Sequence, residues 1–291
     1  MSARDAPGRD APSRDDRAPI RPLAILDARL IDPEATDPGK GESKGGVLII
    51  DGVVRELGPQ VTAANLPEGA DVLRARNACL APGAVDMRVH ACEPGEEHKE
   101  NIGTAASAAL AGGVTTMILL PDTDPPIDDP ALIEFFQRRA RQLKKVNIHA
   151  YGCITSGMEG KELTEIGLLK EAGAVAFTDG THAVANAMTM RRALSYAKAF
   201  GALIVQHPLE PTLARGEMNE GEVATRLGLA GIPNAAETIM LDRDLKLVEL
   251  TGGRYHAAHI SCAESVEIMR AAKKRGLKVT CDTAPFYFTL N

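Results

Sequence analysis

The chain has no tryptophan, and aromatic residues make up only 3% of its 291 positions. Its core must therefore be aliphatic. No Cys-x-x-Cys pair occurs; the five cysteines, at 79, 92, 153, 262 and 281, are scattered. Thiols placed this way read as reduced and predict a cytoplasmic protein. A basic surface is missing too. The net charge is −6, which argues against a nucleic-acid partner. Residues 1–19 are rich in Arg, Asp, Pro and Ala and contain no apolar segment of the signal-peptide kind. They read as a disordered tail. The apolar stretch Thr104–Leu120 is interrupted at Ala111-Gly112-Gly113. It reads as a helix followed by a strand, and no membrane partner is expected.

What is present is ordinary globular material, 44% hydrophobic and 25% charged, enough for one large α/β domain or two smaller ones. Residues 20–80 alternate short apolar runs with turn signals. Leu23–Leu26, Val47–Ile50 and Val53–Leu57 read as strands, the last two joined by an Asp51-Gly52 hairpin turn. From residue 81 to 291 the rhythm becomes strand, loop, helix. Strands are expected at Cys79–Val89, Thr115–Leu120, Asn147–Cys153, Ala174–Phe177, Leu203–Val205, Arg254–His259 and Val279–Cys281. The helices between them are expected at Asn101–Ala111, Pro130–Gln142, Leu163–Ala172, Met188–Phe200, Pro233–Glu249 and Ala263–Arg275. A closed (β/α)8 barrel has eight strands. Seven are expected here, so the barrel is read as lacking its last strand or strands, with an edge that something must cover.

The chemistry is concentrated at strand ends, where barrels of this kind place their sites. Pro82 to Gly95 reads Pro-Gly-Ala-Val-Asp-Met-Arg-Val-His-Ala-Cys-Glu-Pro-Gly. Residues at i and i+2 of a strand share a face, so Arg88 and His90 are expected to point the same way. Arginine offers a cation no lone pair. Asp179 follows the fourth expected strand, His207 the fifth and His259 the sixth. Two imidazoles and a carboxylate at successive strand ends suit a divalent metal such as zinc. The other histidines, His98, His149, His182 and His256, read as surface or supporting groups. Asp122 and Asp124 read as turn formers in a loop, and Asn219–Val223 reads as structural.

Residues 20–291 resemble the bacterial dihydroorotases of the cyclic amidohydrolase superfamily, whose first strand carries Asp-x-His-x-His-Leu-Arg-Glu-Pro-Gly. The chain keeps Asp86, His90, Glu93, Pro94 and Gly95 and departs at Arg88 and Cys92. The resemblance implies an α/β fold: a TIM-type (β/α)8 metallo-hydrolase barrel, incomplete at its C-terminus, behind a small N-terminal β-sandwich domain. It implies metal positions at His90, Asp179, His207 and His259, with Asp179 shared between two ions. Arg88 would replace a metal histidine, Cys92 a substrate-gripping arginine and Asp124 an asparagine that meets the substrate carboxylate. The resemblance therefore implies no intact catalytic set, at most one zinc ion per chain, and an inactive member of the family. Such members accompany aspartate carbamoyltransferase, which becomes the expected partner in an oligomeric assembly. The rival reading is an active hydrolase with a single metal at Asp179, His207 and His259 and a different cyclic amide or imide as substrate. A further rival is a true dihydroorotase whose remaining parts lie beyond residue 291.

Overall fold

The structure, a computed structural model, describes residues 21–37 and 41–289. The tail expected at 1–19 lies outside them. The chain divides into a unit ending at Pro82 and a unit starting at Gly83.

The first unit is one sheet. Strands β1 (Leu23–Ile31), β2 (Glu42–Ile50) and β3 (Val53–Gly58) form an antiparallel meander. Two short strands, β4 (Asp71–Arg74) and β5 (Cys79–Leu80), pair in parallel with β1. They lie end to end on the same edge of β1, opposite Leu23–Leu26 and Arg29–Leu30 respectively. The expected sandwich of two sheets is thus a single sheet among the described residues. A bulge explains how one sheet serves two apolar faces. Between Ile25 and Ala28, β1 advances three residues while β2 advances two, and Asp27 takes a left-handed φ of 60°. An extra residue inverts the in–out alternation. Ala24 and Leu26 accordingly cluster with Leu48 and Val61, whereas Ala28 and Leu30 cluster with Val47.

The second unit begins with β6 (Ala84–Val89). It continues through α1 (Ile102–Ala111), β7 (Val114–Leu119), α2 (Pro130–Leu143), β8 (Asn147–Ala150), α3 (Ile166–Ala172) and α4 (Ala187–Ala199). Next come β9 (Leu203–Gln206), β10 (Met218–Asn219), α5 (Glu222–Leu227), β11 (Gly231–Ile232) and α6 (Ala235–Thr251). The last elements are β12 (Arg254–Ala257), α7 (Ala263–Lys274), β13 (Val279–Cys281) and α8 (Pro285–Thr289). The expected first strand, Cys79–Val89, is two strands, because Pro82 has no N–H for a ladder and Gly83 sits where a Cβ would come within 2.2 Å of the Thr115 side chain. Helix starts follow their local chemistry. Asn101 accepts from the N–H groups of Gly103 and Thr104, and Asp129 from that of Ala131 just after Pro130 at the first helical position.

Six strands form two parallel triplets, β6-β7-β8 and β9-β12-β13, with β9 next to β12 and β12 next to β13. The segment expected as a strand at Ala174–Phe177 joins them through single bridges, Phe177 to Gly152 and Phe177 to Ile204. Gly173, at φ 113°, ends α3 immediately before this segment. Asp179 turns away to Ile154 and Thr155 immediately after it. Too few residues remain for a longer ladder. The layer nonetheless reads as consecutive parallel neighbours, as a βα-repeat predicts.

Alternation along these strands separates two cores. Met117, Leu119, Ile148, Ala150, Phe177, Ile204, Tyr255 and Ala257 belong to the large cluster that also contains the helix faces. Leu120, Tyr151, Ala176, Val205 and Ala258, joined by Ile118 and Leu203, form the second cluster on the opposite side of the strands. With so few aromatics, alanine fills much of both.

Candidate functional site

At the C-terminal ends of the strands, the side bearing the second cluster turns polar. His207 lies two residues beyond Val205, and His256 two before Ala258, so both continue that face. His256 is buried; its Nδ1 meets Thr280 Oγ1 at 2.8 Å and its Nε2 meets Asp282 Oδ2 at 3.1 Å. Asp282 also accepts the backbone N–H of His259 at 2.5 Å. That contact depends on the left-handed turn at His259, φ 58°, which is why the expected strand Arg254–His259 stops at Ala257. Burial alone would raise the Asp282 carboxyl, but the hydrogen bonds from His256 and His259 hold it well below the usual carboxylate range.

The His207 and His259 rings stand edge to face, 6.0 Å between centroids. Burial, Arg88 and His259 together push His207 down to about 4, so it is a neutral imidazole near pH 7. Arg88 is half-buried, and its Nη1 is sealed from solvent without a hydrogen-bond partner. No carboxylate among the described residues forms an ion pair with it. Burial lowers its pKa, while Asp282, Tyr151 and Asp122 pull the other way from a distance. The second sealed orphan is His259 Nδ1, which lies 3.3 Å from Asp282 Oδ1 in a geometry that makes no hydrogen bond.

The remaining expected site residues are engaged elsewhere. His90 is exposed and its Nδ1 contacts Asp122 Oδ2 at 2.6 Å, a bond that raises the imidazole pKa. Asp122 is therefore a partner of His90 and not only a turn former. Asp179 is almost fully buried; it accepts the N–H groups of Ile154 and Thr155 at 2.8 and 3.0 Å and the Thr155 hydroxyl at 2.5 Å. Burial raises its pKa against these bonds. Cys92 adopts φ 55°. Asp124 donates its N–H to Pro94 O at 3.1 Å and packs on Gly95, where a Cβ would come within 2.6 Å of the Asp124 Cβ. Glu93 supports the fold, accepting the N–H of Ile102 at 2.9 Å and pairing with Arg139 Nε at 3.2 Å.

The zinc set expected at Asp179, His207 and His259 is not assembled. The two imidazoles are neighbours, but the carboxylate caps Ile154 and Thr155. Among the described residues no three His, Cys, Asp or Glu side chains gather as a group able to hold a metal ion. A guanidinium beside His207 also opposes a divalent cation there. The donors in this arrangement do not fit the metal that the resemblance implies. Sequence reasoning missed Asp282, the carboxylate that organises His256 and His259. The same strand-end logic that selected Asp179 and His207 could have found it, since it follows Cys281 directly. Glu237 was missed as well. It accepts the Ser261 N–H at 3.1 and 3.0 Å and the Ser261 hydroxyl at 2.6 Å, and no strand-end position marks it.

Solved structures share the fold. An L-hydantoinase (dihydropyrimidinase) from Arthrobacter aurescens matches with a TM-score of 0.72 at 22% identity, over 90% of this chain and 58% of that one. A D-hydantoinase matches at 0.69 and 23% identity, over 93% of this chain and 59% of its own length. The sequence is more specific. The family model described as dihydro-orotase-like matches residues 77–265, and the chain belongs to that family. It is 44% identical over 269 residues to a dihydroorotase from Pelobacter propionicus and 46% identical over 270 residues to one from Citrifermentans bemidjiense. Each match covers 92% of this chain but 62% of the relative, so the chain spans less than two thirds of the length of these curated relatives. No helix among the described residues is long and apolar enough to cross a membrane.

Proposed function

We propose that this chain is a dihydroorotase-like protein of pyrimidine biosynthesis that does not turn over the dihydroorotase reaction and instead supports assembly of aspartate carbamoyltransferase. The observation that carries the reading is Arg88. A permanently charged, lone-pair-free side chain stands on the strand position where a ligating histidine is implied, and it contacts neither a metal donor set nor a carboxylate. Cys92 and Asp124 remove the groups implied for the substrate carboxylate. Losing a buried charge-pair partner costs about 2–5 kcal/mol of binding, and Asp124 adds repulsion. The protein acts in the cytoplasm as part of an oligomer and takes up at most one zinc ion per chain. The rival single-metal hydrolase would require Asp179 to abandon three hydrogen bonds in a buried site, which disfavours it.

Carbamoyl-aspartate cyclisation, measured with added zinc, is expected to stay at background. A turnover that disappears in His259→Ala would overturn the inactive reading. Elemental analysis showing two zinc ions per chain would sink the metal assignment. Co-expression with the host's aspartate carbamoyltransferase is expected to give one co-eluting species that survives dilution, as an interface above about 1,000 Å² would. Separate elution, with the transferase fully active alone, would remove the assembly role.

A further inference from the structure

Acidic residues outnumber basic ones in this chain, 39 to 33, yet none occurs between Glu134 and Glu159. Three cations of that stretch, Arg141, Lys144 and Lys145, meet where α2 ends and β8 begins. Gln137, Ala140, Arg141 and Lys144 follow at helical spacing and share one face of α2. That face, Lys145 and the first residues of β8 line a hollow of about 610 Å³, and no carboxylate stands among its lining residues. The Arg141 and Lys144 side chains make no ion pair or hydrogen bond among the described residues. Lys145 Nζ is oriented by Ser107 Oγ at 2.5 Å and Gly103 O at 3.3 Å, which leaves its third N–H free. Lys144 itself ends the helix at φ 50°, a left-handed position that ordinarily takes glycine or asparagine. The negative end of the helix dipole makes the cluster tolerable without a carboxylate, so its donors remain unused.

We propose that this hollow binds an oligophosphate chain, whose anionic oxygens are held by Arg141, Lys144 and Lys145. Three cations without a carboxylate attract a ligand carrying several negative charges more than one carrying a single charge. The ammonium groups meet phosphate oxygens as point charges, and the guanidinium can grip two oxygens at once. Ala140, Val146 and Ile148 supply apolar wall beside the cations, and the volume is that of an ordinary small-molecule site. The hollow is built wholly from the continuous β7-α2-β8 unit, in the interior of the chain. It shares no residue with the strand-end site and stands independently of the assembly role proposed above.

The test is calorimetric titration of the full chain, EDTA-treated and desalted, with tripolyphosphate, orthophosphate and ATP at low salt, where exposed charges are least screened. Tripolyphosphate is expected to bind once per chain, and orthophosphate at least about tenfold more weakly. Arg141→Gln combined with Lys144→Asn, the asparagine suiting the left-handed position, is expected to lose at least about tenfold in tripolyphosphate affinity. Lys273→Gln combined with Lys274→Gln removes the same charge from the end of α7, outside the hollow, and is expected to change the affinity less than about twofold. Thermal unfolding of each variant establishes that it is folded, and Lys145→Gln alone, expected to weaken binding, gives a second reading at the same hollow. Equal losses in the two double variants, unchanged binding in Lys145→Gln, orthophosphate as tight as tripolyphosphate, or no tripolyphosphate binding at millimolar concentration would each overturn the proposal. ATP at least as tight as tripolyphosphate assigns the hollow to a nucleotide, and weaker ATP assigns it to the free chain. None of these outcomes depends on carbamoyltransferase or on catalysis, so failure here is distinguishable from failure of the assembly role.

Discussion

The second unit holds two charges in opposite ways, one fully buried and one half-buried. Asp244, on α6, is fully buried and receives Arg243 Nε at 2.9 Å and Nη2 at 2.6 Å, Gln206 Nε2 at 2.5 Å and the Tyr255 hydroxyl at 2.9 Å. Arg243 in turn donates to the carbonyls of Val184 and Ala185 at 2.9 and 2.5 Å. Arg88 has no such company. A charge with every partner present fastens α6 to β9 and β12; the Arg88 guanidinium makes no hydrogen bond among the described residues. The two charges thus differ both in burial and in the completeness of their hydrogen-bond shells.

The largest effect that would sharpen this contrast is at Asp244. Asp244→Ala strips the shared acceptor from a partly buried guanidinium, a buried amide and a buried phenol, and should destabilise by about 3–5 kcal/mol in chemical denaturation. Arg88→Met should move the other way and stabilise by up to about 1 kcal/mol, since it removes a half-buried charge that makes no ion pair and keeps an apolar stem of similar length. Equal losses at both positions would break the comparison. A smaller effect is expected in acid. Asp282 has a depressed carboxyl pKa, so its contribution is present above the ordinary aspartate value of about 3.9 and is lost as pH falls below it. Thermal midpoints of the parent should fall between about pH 5 and pH 3 more steeply than those of Asp282→Asn, which no longer titrates there. The smallest effect is at the solvent-exposed pair Lys161–Glu159, 2.8 Å apart, where Lys161→Ala should leave the midpoint unchanged.

Much of the second unit was legible in the sequence because βα-repeats announce themselves through apolar runs separated by caps. Asn101 and Asp129 cap helices where their side chains suggest, and Asp51-Gly52 sits in the β2–β3 connection. The first unit was harder. The residue pattern of β1 is regular, and only the ladder reveals that Asp27 inverts its faces. Strand-end positions picked out His207 and His259 as neighbours, yet could not reveal that Asp179 faces Ile154 and Thr155, since a carboxylate's partners depend on loops distant in sequence. The fate of Arg88 was half visible. Its chemistry excludes metal ligation on sight, whereas its isolation can be recognised only when every neighbour is placed.

The join at Phe177 has a mechanical meaning. Among the described residues, the two three-stranded ribbons are joined by backbone hydrogen bonds through a short bridge: the N–H of Gly152 to Ala176 O, of Thr178 to Gly152 O, of Phe177 to Leu203 O and of Val205 to Phe177 O, all between 2.8 and 3.0 Å, with Val175 to Ala150 at 3.1 Å. Cooperative opening follows contiguous bonded blocks. The bridge is therefore the crease along which the sheet can fold or part, and the amides of Phe177 and Val205 are gauges of it. If the ribbons open as one body, these amides exchange with the strand centres; if each opens alone, they exchange first.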